Sequence, residues 1–286
     1  MEQYINSLNN VWHLKVPKIF HIYWGTGIFS YLRFMTIRSF MLKNPEWKVM
    51  FWYPKYPSKT IVTWNTKEQE QEFSCDDYIE ELKNLPIEMI PTDFNNYGFS
   101  NDVSEVHKSD FIRLEILSTI GGVWSDMDIL YFRPINCLTV NIENNKNIET
   151  FVCISPHGHS IGFLMSAGNN DFYKILIEEA KRVYNKKMYQ TIGSLLWNKN
   201  YRTLQLINKI SSVADIGDDA VYSMGAANKT EIYNGAKPKI TTNTIGIHWY
   251  GGCALSGKFL QETNGGLTNL PNNVLGNLLK NKNINP

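Results

Sequence analysis

Residues 109 to 130 read SDFIRLEILSTIGGVWSDMDIL, and two carboxylates in this stretch, Asp126 and Asp128, are separated only by Met127. On a strand, alternate residues point to the same side, so this spacing turns both carboxylates one way and Met127 the other. Two converging acidic groups are costly unless something positive sits between them. A hard divalent cation held by oxygen ligands, with a phosphate completing its shell, meets that need. Upstream, Asp110 and Arg113 lie at i, i+3 spacing with Leu117 on the same helical face.

The elements that must carry these groups follow from hydrophobic spacing. Val16 to Trp24 (VPKIFHIYW) reads as a buried strand that ends at a Gly25-Thr26-Gly27 turn. Residues 28 to 43 carry apolar groups at helical intervals and stop at Asn44-Pro45. Trp47 to Tyr53 and Ile87 to Ile90 read as further strands, the latter followed by a loop from Thr92 to Asp102. Ser104 to Ile120 is the clearest helix, with Ser104 as N-cap and Gly121-Gly122 as its left-handed stop. The double glycine turns the chain into the strand that bears Asp126 and Asp128, extended by Ile129 to Phe132. This order argues for an α/β fold with a parallel, doubly wound sheet and ligands beyond the carboxyl ends of its strands.

Later elements are fainter. Phe172 to Tyr184 reads as an amphipathic helix, Gln190 to Trp197 as the start of another, and Ile240 to Tyr250 as a late strand. The glycine-rich stretch from Gly251 to Gly257 reads as a mobile lid. His157 and His159 form an HxH pair, but no third ligand accompanies them.

Composition narrows the function classes. With 286 residues, 43% hydrophobic and 13% aromatic, the chain can bury a large core, and disorder is excluded as the general state. A net charge of +1 without a lysine or arginine block argues against nucleic acid as partner. The four cysteines show no CxxC spacing and read as free, buried thiols of a reducing compartment. No run reaches the roughly 18 apolar residues of a membrane span, and the N-terminus lacks a signal-peptide pattern. The expectation is a soluble, cytoplasmic protein.

In order along the chain, PKIFHIYWG, SDFIRLEIL, GGVWSDMD and IGIHWYGG resemble the glycosyltransferases that carry a DxD-containing sugar-binding region. That group includes yeast α-mannosyltransferases, capsular-polysaccharide transferases and the catalytic domains of large clostridial glucosylating toxins. The resemblance covers about residues 16 to 255 and is densest from 104 to 134. It implies the GT-A fold, Rossmann-like, with a mostly parallel central sheet flanked by helices. It also implies a nucleotide-sugar donor, Mn²⁺ or Mg²⁺ as cofactor, and retention at the anomeric carbon.

Residue by residue, the resemblance makes Trp24 the platform on which the donor base stacks, a task suited to an indole. Asp110 and Arg113 match its SDxxR pair, which contacts the donor sugar. Asp126 matches the first DxD carboxylate, on the ribose and, through water, the metal; Asp128 matches the direct metal ligand. Trp124 stands where the family usually has Tyr, which leaves only the indole N–H to donate. His248 and Trp249 match the segment that folds over the diphosphate, with His248 also a candidate metal ligand. Where many relatives place an Asn, this chain reads Ser160-Ile161-Gly162-Phe163-Leu164-Met165-Ser166, so His159 or Ser160 would have to take over its contacts.

The resulting expectation is a single domain. Residues 16–135 would form the nucleotide-sugar and metal-binding half, 136–260 the acceptor-side half with its lid, and 272–286 a peripheral tail. Its activity would be transfer of a hexose to a glycan or protein hydroxyl, in glycan biosynthesis, from a UDP-sugar or GDP-mannose. Two alternatives stay open: a non-catalytic module that binds nucleotide or glycan, and an effector that glycosylates a host protein.

Overall fold

The computed structural model describes residues 15–59, 75–140, 148–155, 158–199, 212–235, 237–263 and 269–282. His157, half of the HxH pair, lies outside them.

The first strand, β1 (Ile19–Tyr23), places Phe20 and Ile22 on one face and His21 and Tyr23 on the other. All four are buried, because each face of the sheet is covered. The same alternation recurs in β2 (Lys48–Pro54), where Val49 and Phe51 join the core on one side and Met50 and Trp52 that on the other. Strands buried on both faces read as continuous apolar runs, which is why WKVMFWY is legible as a strand. With β3 (Glu88–Thr92), β4 (Gly122–Ser125), β6 (Ile148–Ser155), β7 (Gly158–Ser166) and β8 (Ser212–Asp215) they form a seven-stranded sheet ordered β3-β2-β1-β4-β7-β6-β8. Pairing is parallel from β3 to β4 and between β6 and β8, and antiparallel where β7 meets β4 and β6. The expected α/β architecture with a mostly parallel central sheet is the one the chain forms.

Helix α1 (Tyr31–Lys43) packs on one face; α2 (Ile79–Lys83) follows it before β3. Helices α3 (Glu105–Thr119), α4 (Asp171–Val183) and α5 (Ser194–Lys199) cover the opposite face. Ser104 caps α3 by accepting the His107 N–H at 3.3 Å. Gly121 and Gly122 have φ of 73° and 102°, and a Cβ on Gly121 would stand 2.4 Å from the Gly168 backbone nitrogen. Only glycine meets both demands at once.

His21 sits under this junction. Its Nε2–H donates to the Gly121 carbonyl at 2.9 Å and its Nδ1 accepts from the Trp52 indole at 3.1 Å, which assigns a neutral ring. Burial pushes its pKa down to about 4, against the opposing effect of the Gly121 bond. The unfolded chain therefore takes up this proton first as pH falls, so His21 lowers stability between about pH 6.5 and 4. Urea midpoints across that window should fall less steeply in His21→Gln than in the natural chain. Equal slopes would remove His21 as the cause.

Four sequence expectations change. The late strand is only β9 (Gly246–His248). Before it, Thr241 to Thr244 close a turn in which the Thr241 N–H donates to Thr244 Oγ1 at 2.9 Å and Arg133 holds the Thr241 carbonyl at 2.7 Å. The segment read as a mobile lid is pinned instead. Gly251 donates to Asp128, its carbonyl accepts from Ser256 Oγ at 2.7 Å, and α6 (Ala254–Glu262) buries Phe259 and Leu260 in the core. The tail is not wholly peripheral, since α7 (Val274–Leu279) buries Val274, Leu275 and Leu279. All four cysteines are free, but only Cys153 and Cys253 are buried; Cys75 is half-buried and Cys137 exposed.

Candidate functional site

Asp126 and Asp128 do not lie on one strand. The chain leaves the main sheet at Ser125, passes through a turn at Met127 and Asp128, and enters β5 (Ile129–Tyr131), which pairs with β9 in a separate two-stranded sheet. Convergence is therefore achieved by tethers rather than by strand alternation. The Asp126 N–H donates to the Gly162 carbonyl at 2.7 Å, and the Thr36 hydroxyl of α1 holds the Met127 carbonyl at 3.1 Å. The Trp249 N–H donates to the Asp128 carbonyl at 2.7 Å.

The β5–β9 ladder sets Ile129 opposite His248, which brings the imidazole beside Asp128. His248 Nε2 lies 2.9 Å from Asp128 Oδ1, and its Nδ1 accepts the Tyr250 N–H at 3.2 Å. The Gly251 N–H reaches Asp128 Oδ2 at 2.8 Å. Burial pushes the Asp128 carboxyl up, but His248, the Gly251 N–H and Arg33 outweigh it and hold the group below the usual carboxylate range. One donor atom from each of Asp126, Asp128 and His248 falls within 4.8 Å of the others. Two carboxylate oxygens and an imidazole suit Mn²⁺, or Mg²⁺ through the oxygens. With Nδ1 occupied by a backbone donor, Nε2 carries the proton, so ligation through it would release that proton.

Asp110 and Arg113 project from α3 on the other flank. Arg113 Nη2 lies 2.9 Å from Asp110 and 3.4 Å from Asp126, and Nη1 donates to the Ile161 carbonyl at 2.7 Å. Both side chains are about 5% exposed. Burial raises the Asp110 carboxyl to about 6, with Arg113 opposing and Asp126 adding to the shift. Asp110 Oδ2 has no hydrogen-bond partner among the described residues, and the Gly193 backbone packs so close that a Cβ there would stand 2.6 Å away. A buried acceptor without a donor is unusual and fits a ligand hydroxyl.

Trp124 is fully buried, and its indole N–H donates to Asp126 Oδ1 at 3.1 Å. It therefore orients the carboxylate. Trp24 stands at the mouth just beyond β1, with Arg33 over one face at 4.0 Å from the ring centroid. A base stacking on Trp24 must use the opposite face or move the guanidinium. The Trp249 side chain departs from its expected role. It is 1% exposed within the core and does not line the cavity: His248, the last residue of β9, faces Asp128, and the next residue, Trp249, turns inward.

Trp24, Asp110, Arg113, Trp124, Asp126 and Asp128 line one cavity of about 310 Å³, a size that suits a small ligand, and His248 stands behind Asp128 rather than on the wall. Its wall includes residues that sequence reasoning missed: Arg33, Glu105, Tyr189 and Gln190. Glu105, the first residue of α3, accepts from the Tyr23 hydroxyl at 2.5 Å, the Ser58 N–H at 2.7 Å and the fully buried Lys108 at 2.9 Å. It ties three segments together at the cavity edge. Gln190 holds φ of 54°, a backbone strain uncommon outside glycine and frequent at working sites. Nothing in the local sequence marks these residues, since their roles depend on distant partners.

Gly162 did leave a signal, a glycine within a strand pattern. A Cβ there would stand 2.7 Å from Asp126 Oδ2 and 2.5 Å from the Tyr222 hydroxyl. Gly162→Ala should displace the carboxylate and weaken Mn²⁺ binding roughly ten- to a hundredfold, as measured by calorimetry. Unchanged affinity would show that Asp126 tolerates the shift.

Residues 34–147 match the family model described as a glycosyltransferase sugar-binding region containing the DXD motif. The matched segment includes Asp110, Arg113, Trp124, Asp126 and Asp128, and leaves out Trp24, His248 and Trp249. No curated protein matches the chain. Among solved structures, the chain is similar to the PaToxG glycosyltransferase at 16% identity and a TM-score of 0.45, covering 73% of this chain and 79% of that one. It is similar to the glycosyltransferase GlyE of Streptococcus pneumoniae TIGR4 at 11% identity and a TM-score of 0.45, covering 82% of this chain but only 54% of GlyE, so it spans about half the length of that protein. A third likeness is to the galactosyltransferase LgtC, at 12% identity and a TM-score of 0.42, covering 81% and 86% of the two chains. Among the described residues no helix is long and apolar enough to cross a membrane. The family match runs from within α1 through the aspartate turn, so residues 34–147, less than half of the chain, are similar to the DXD-motif sugar-binding region of glycosyltransferases.

Proposed function

We propose that this chain is a cation-dependent glycosyltransferase that moves a hexose from a nucleoside-diphosphate sugar to a hydroxyl of a glycan. A UDP-sugar is the favoured donor, and GDP-mannose is the next to test. The observation that carries the reading is the meeting, on one cavity wall, of Asp126 and Asp128, with His248 beside Asp128, and the buried Asp110–Arg113 pair. The cluster lies at the diphosphate end and the pair at the sugar end.

A bound Mn²⁺ or Mg²⁺ would supply charge neutralisation on the diphosphate. The chain's own residues do the rest. Asp128 and Asp126 are held by the Gly251 N–H and the Trp124 indole, so little reorganisation is needed at the moment of transfer. Arg113 is locked by Asp110, Asp126, the Ile161 carbonyl and Ser109, and holds Asp110 where a sugar hydroxyl can donate to it. Trp24 offers a flat surface to the base. The resemblance to retaining glycosyltransferases is what supports retention, and with no evident carboxylate nucleophile among the described residues we read it as same-face attack. The acceptor oxygen attacks from the face the diphosphate leaves, and its proton passes to the departing phosphate.

The test is hydrolysis or transfer across a panel of nucleotide sugars, with Mn²⁺ and again after chelation. The expected result is turnover of one donor, lost on chelation and restored by Mn²⁺. Turnover that survives chelation would sink the cation assignment. Absence of turnover together with nucleotide binding would favour a non-catalytic module.

A further inference from the structure

The charged groups on the cavity wall are Arg33, Glu105, Asp110, Arg113, Asp126 and Asp128. Four acids against two bases give the lining −2, or −1 once the buried Lys108 paired with Glu105 is counted, a poor environment for an anionic ligand. A divalent cation offsets this, yet a bound nucleoside-diphosphate sugar brings about two further negative charges. A third develops as the bond to the sugar breaks. Arg113 is already shared between Asp110 and Asp126. Among the described residues, the other cation on the wall is Arg33.

Its placement is built. Arg33 and Thr36 stand at i, i+3 on α1 and so share a face. Thr36 bonds the carbonyl of Met127, the residue between the two aspartates, which anchors that face of α1 against the turn. The guanidinium lies 4.0 Å over the Trp24 ring, and its Nη1 donates to the Ile28 carbonyl at 3.1 Å. It therefore lines the cavity at the proposed base platform, and its field reaches Asp128. Guanidinium is the side-chain cation best shaped to bind phosphate oxygens while stacked on an aromatic ring.

We infer that Arg33 is the second cation of the donor site, seated on Trp24 and contacting the diphosphate. This rests on the donor reading above. During transfer the anomeric C–O bond to the terminal phosphate breaks, with both electrons staying on the phosphate oxygen. The acceptor oxygen forms the new C–O bond, and its proton goes to the departing diphosphate. Arg33 neutralises part of the charge that develops there and is itself chemically unchanged.

The experiment is calorimetric titration of the full chain in Mn²⁺ with UDP, GDP, uridine and guanosine, comparing the natural chain with Arg33→Gln and Arg33→Lys. Arg33→Gln should weaken binding of the preferred nucleoside diphosphate roughly ten- to a hundredfold and that of its nucleoside less than about twofold. Arg33→Lys should recover part of the loss, since it keeps the charge but not the fork or the stacking. Equal losses for nucleoside and diphosphate would overturn the inference, because Arg33 would then only support Trp24. Unchanged diphosphate binding in Arg33→Gln would overturn it alone. If the natural chain binds neither diphosphate in Mn²⁺, the donor reading fails, and this inference fails with it.

Discussion

Asp128→Asn is expected to lower cation-dependent donor turnover by roughly a hundred- to a thousandfold and to leave the chain folded. Asparagine keeps an oxygen that can accept the Gly251 N–H, so the tether to the pinned segment after β9 can survive. What disappears is the charge that faces His248 and that a bound cation would require. Circular dichroism should be unchanged, while the Mn²⁺ titration loses its heat. Turnover within tenfold of the natural chain would remove Asp128 as a ligand. Because Asp126 and His248 remain in the variant, that outcome would also show that two donors suffice.

Arg113→Met is expected to affect stability most, with a loss of about 3–5 kcal/mol. Removing one partner of a buried ion pair strands the other, and here two carboxylates lose their counter-charge: Asp110, about 5% exposed, and Asp126. The Ile161 carbonyl also loses its donor. For a chain of this size the melting temperature should drop by on the order of 10 °C. Combining Arg113→Met with Asp110→Asn should restore part of that loss, since the stranded charge is then removed as well. Urea unfolding of the four chains checks both statements. If Arg113→Met unfolds like the natural chain, the pair is not buried as described. If the double variant is no better than the single one, Asp126 rather than Asp110 bears the cost.

Much of this was legible in the amino-acid order, and for identifiable reasons. The two-sided burial of β1 and β2 writes itself as unbroken apolar and aromatic runs. Ser104 and the paired glycines mark both ends of α3, because capping and positive φ are local demands that few residue types meet. The i, i+3 placement of Asp110 and Arg113 needs only the helical period, and their salt bridge at 2.9 Å follows.

What the order of residues could not carry was anything decided by a partner far along the chain. Strand alternation seemed reason enough for Asp126 and Asp128 to face one way. They converge instead because Gly162, Thr36, Trp249 and Gly251, each at least 36 residues away, hold the turn between two sheets. The pairing of β5 with β9 brings His248 to Asp128 and turns Trp249 into the core. The packing of α1 against the same turn puts Arg33 on the cavity wall. Residue types and short-range spacing determined which chemistry was available, since carboxylates, a guanidinium and helix caps act through their own local geometry. Only tertiary contacts decided which of those groups share a cavity, because convergence depends on hydrogen bonds and sheet register between segments that no local pattern relates.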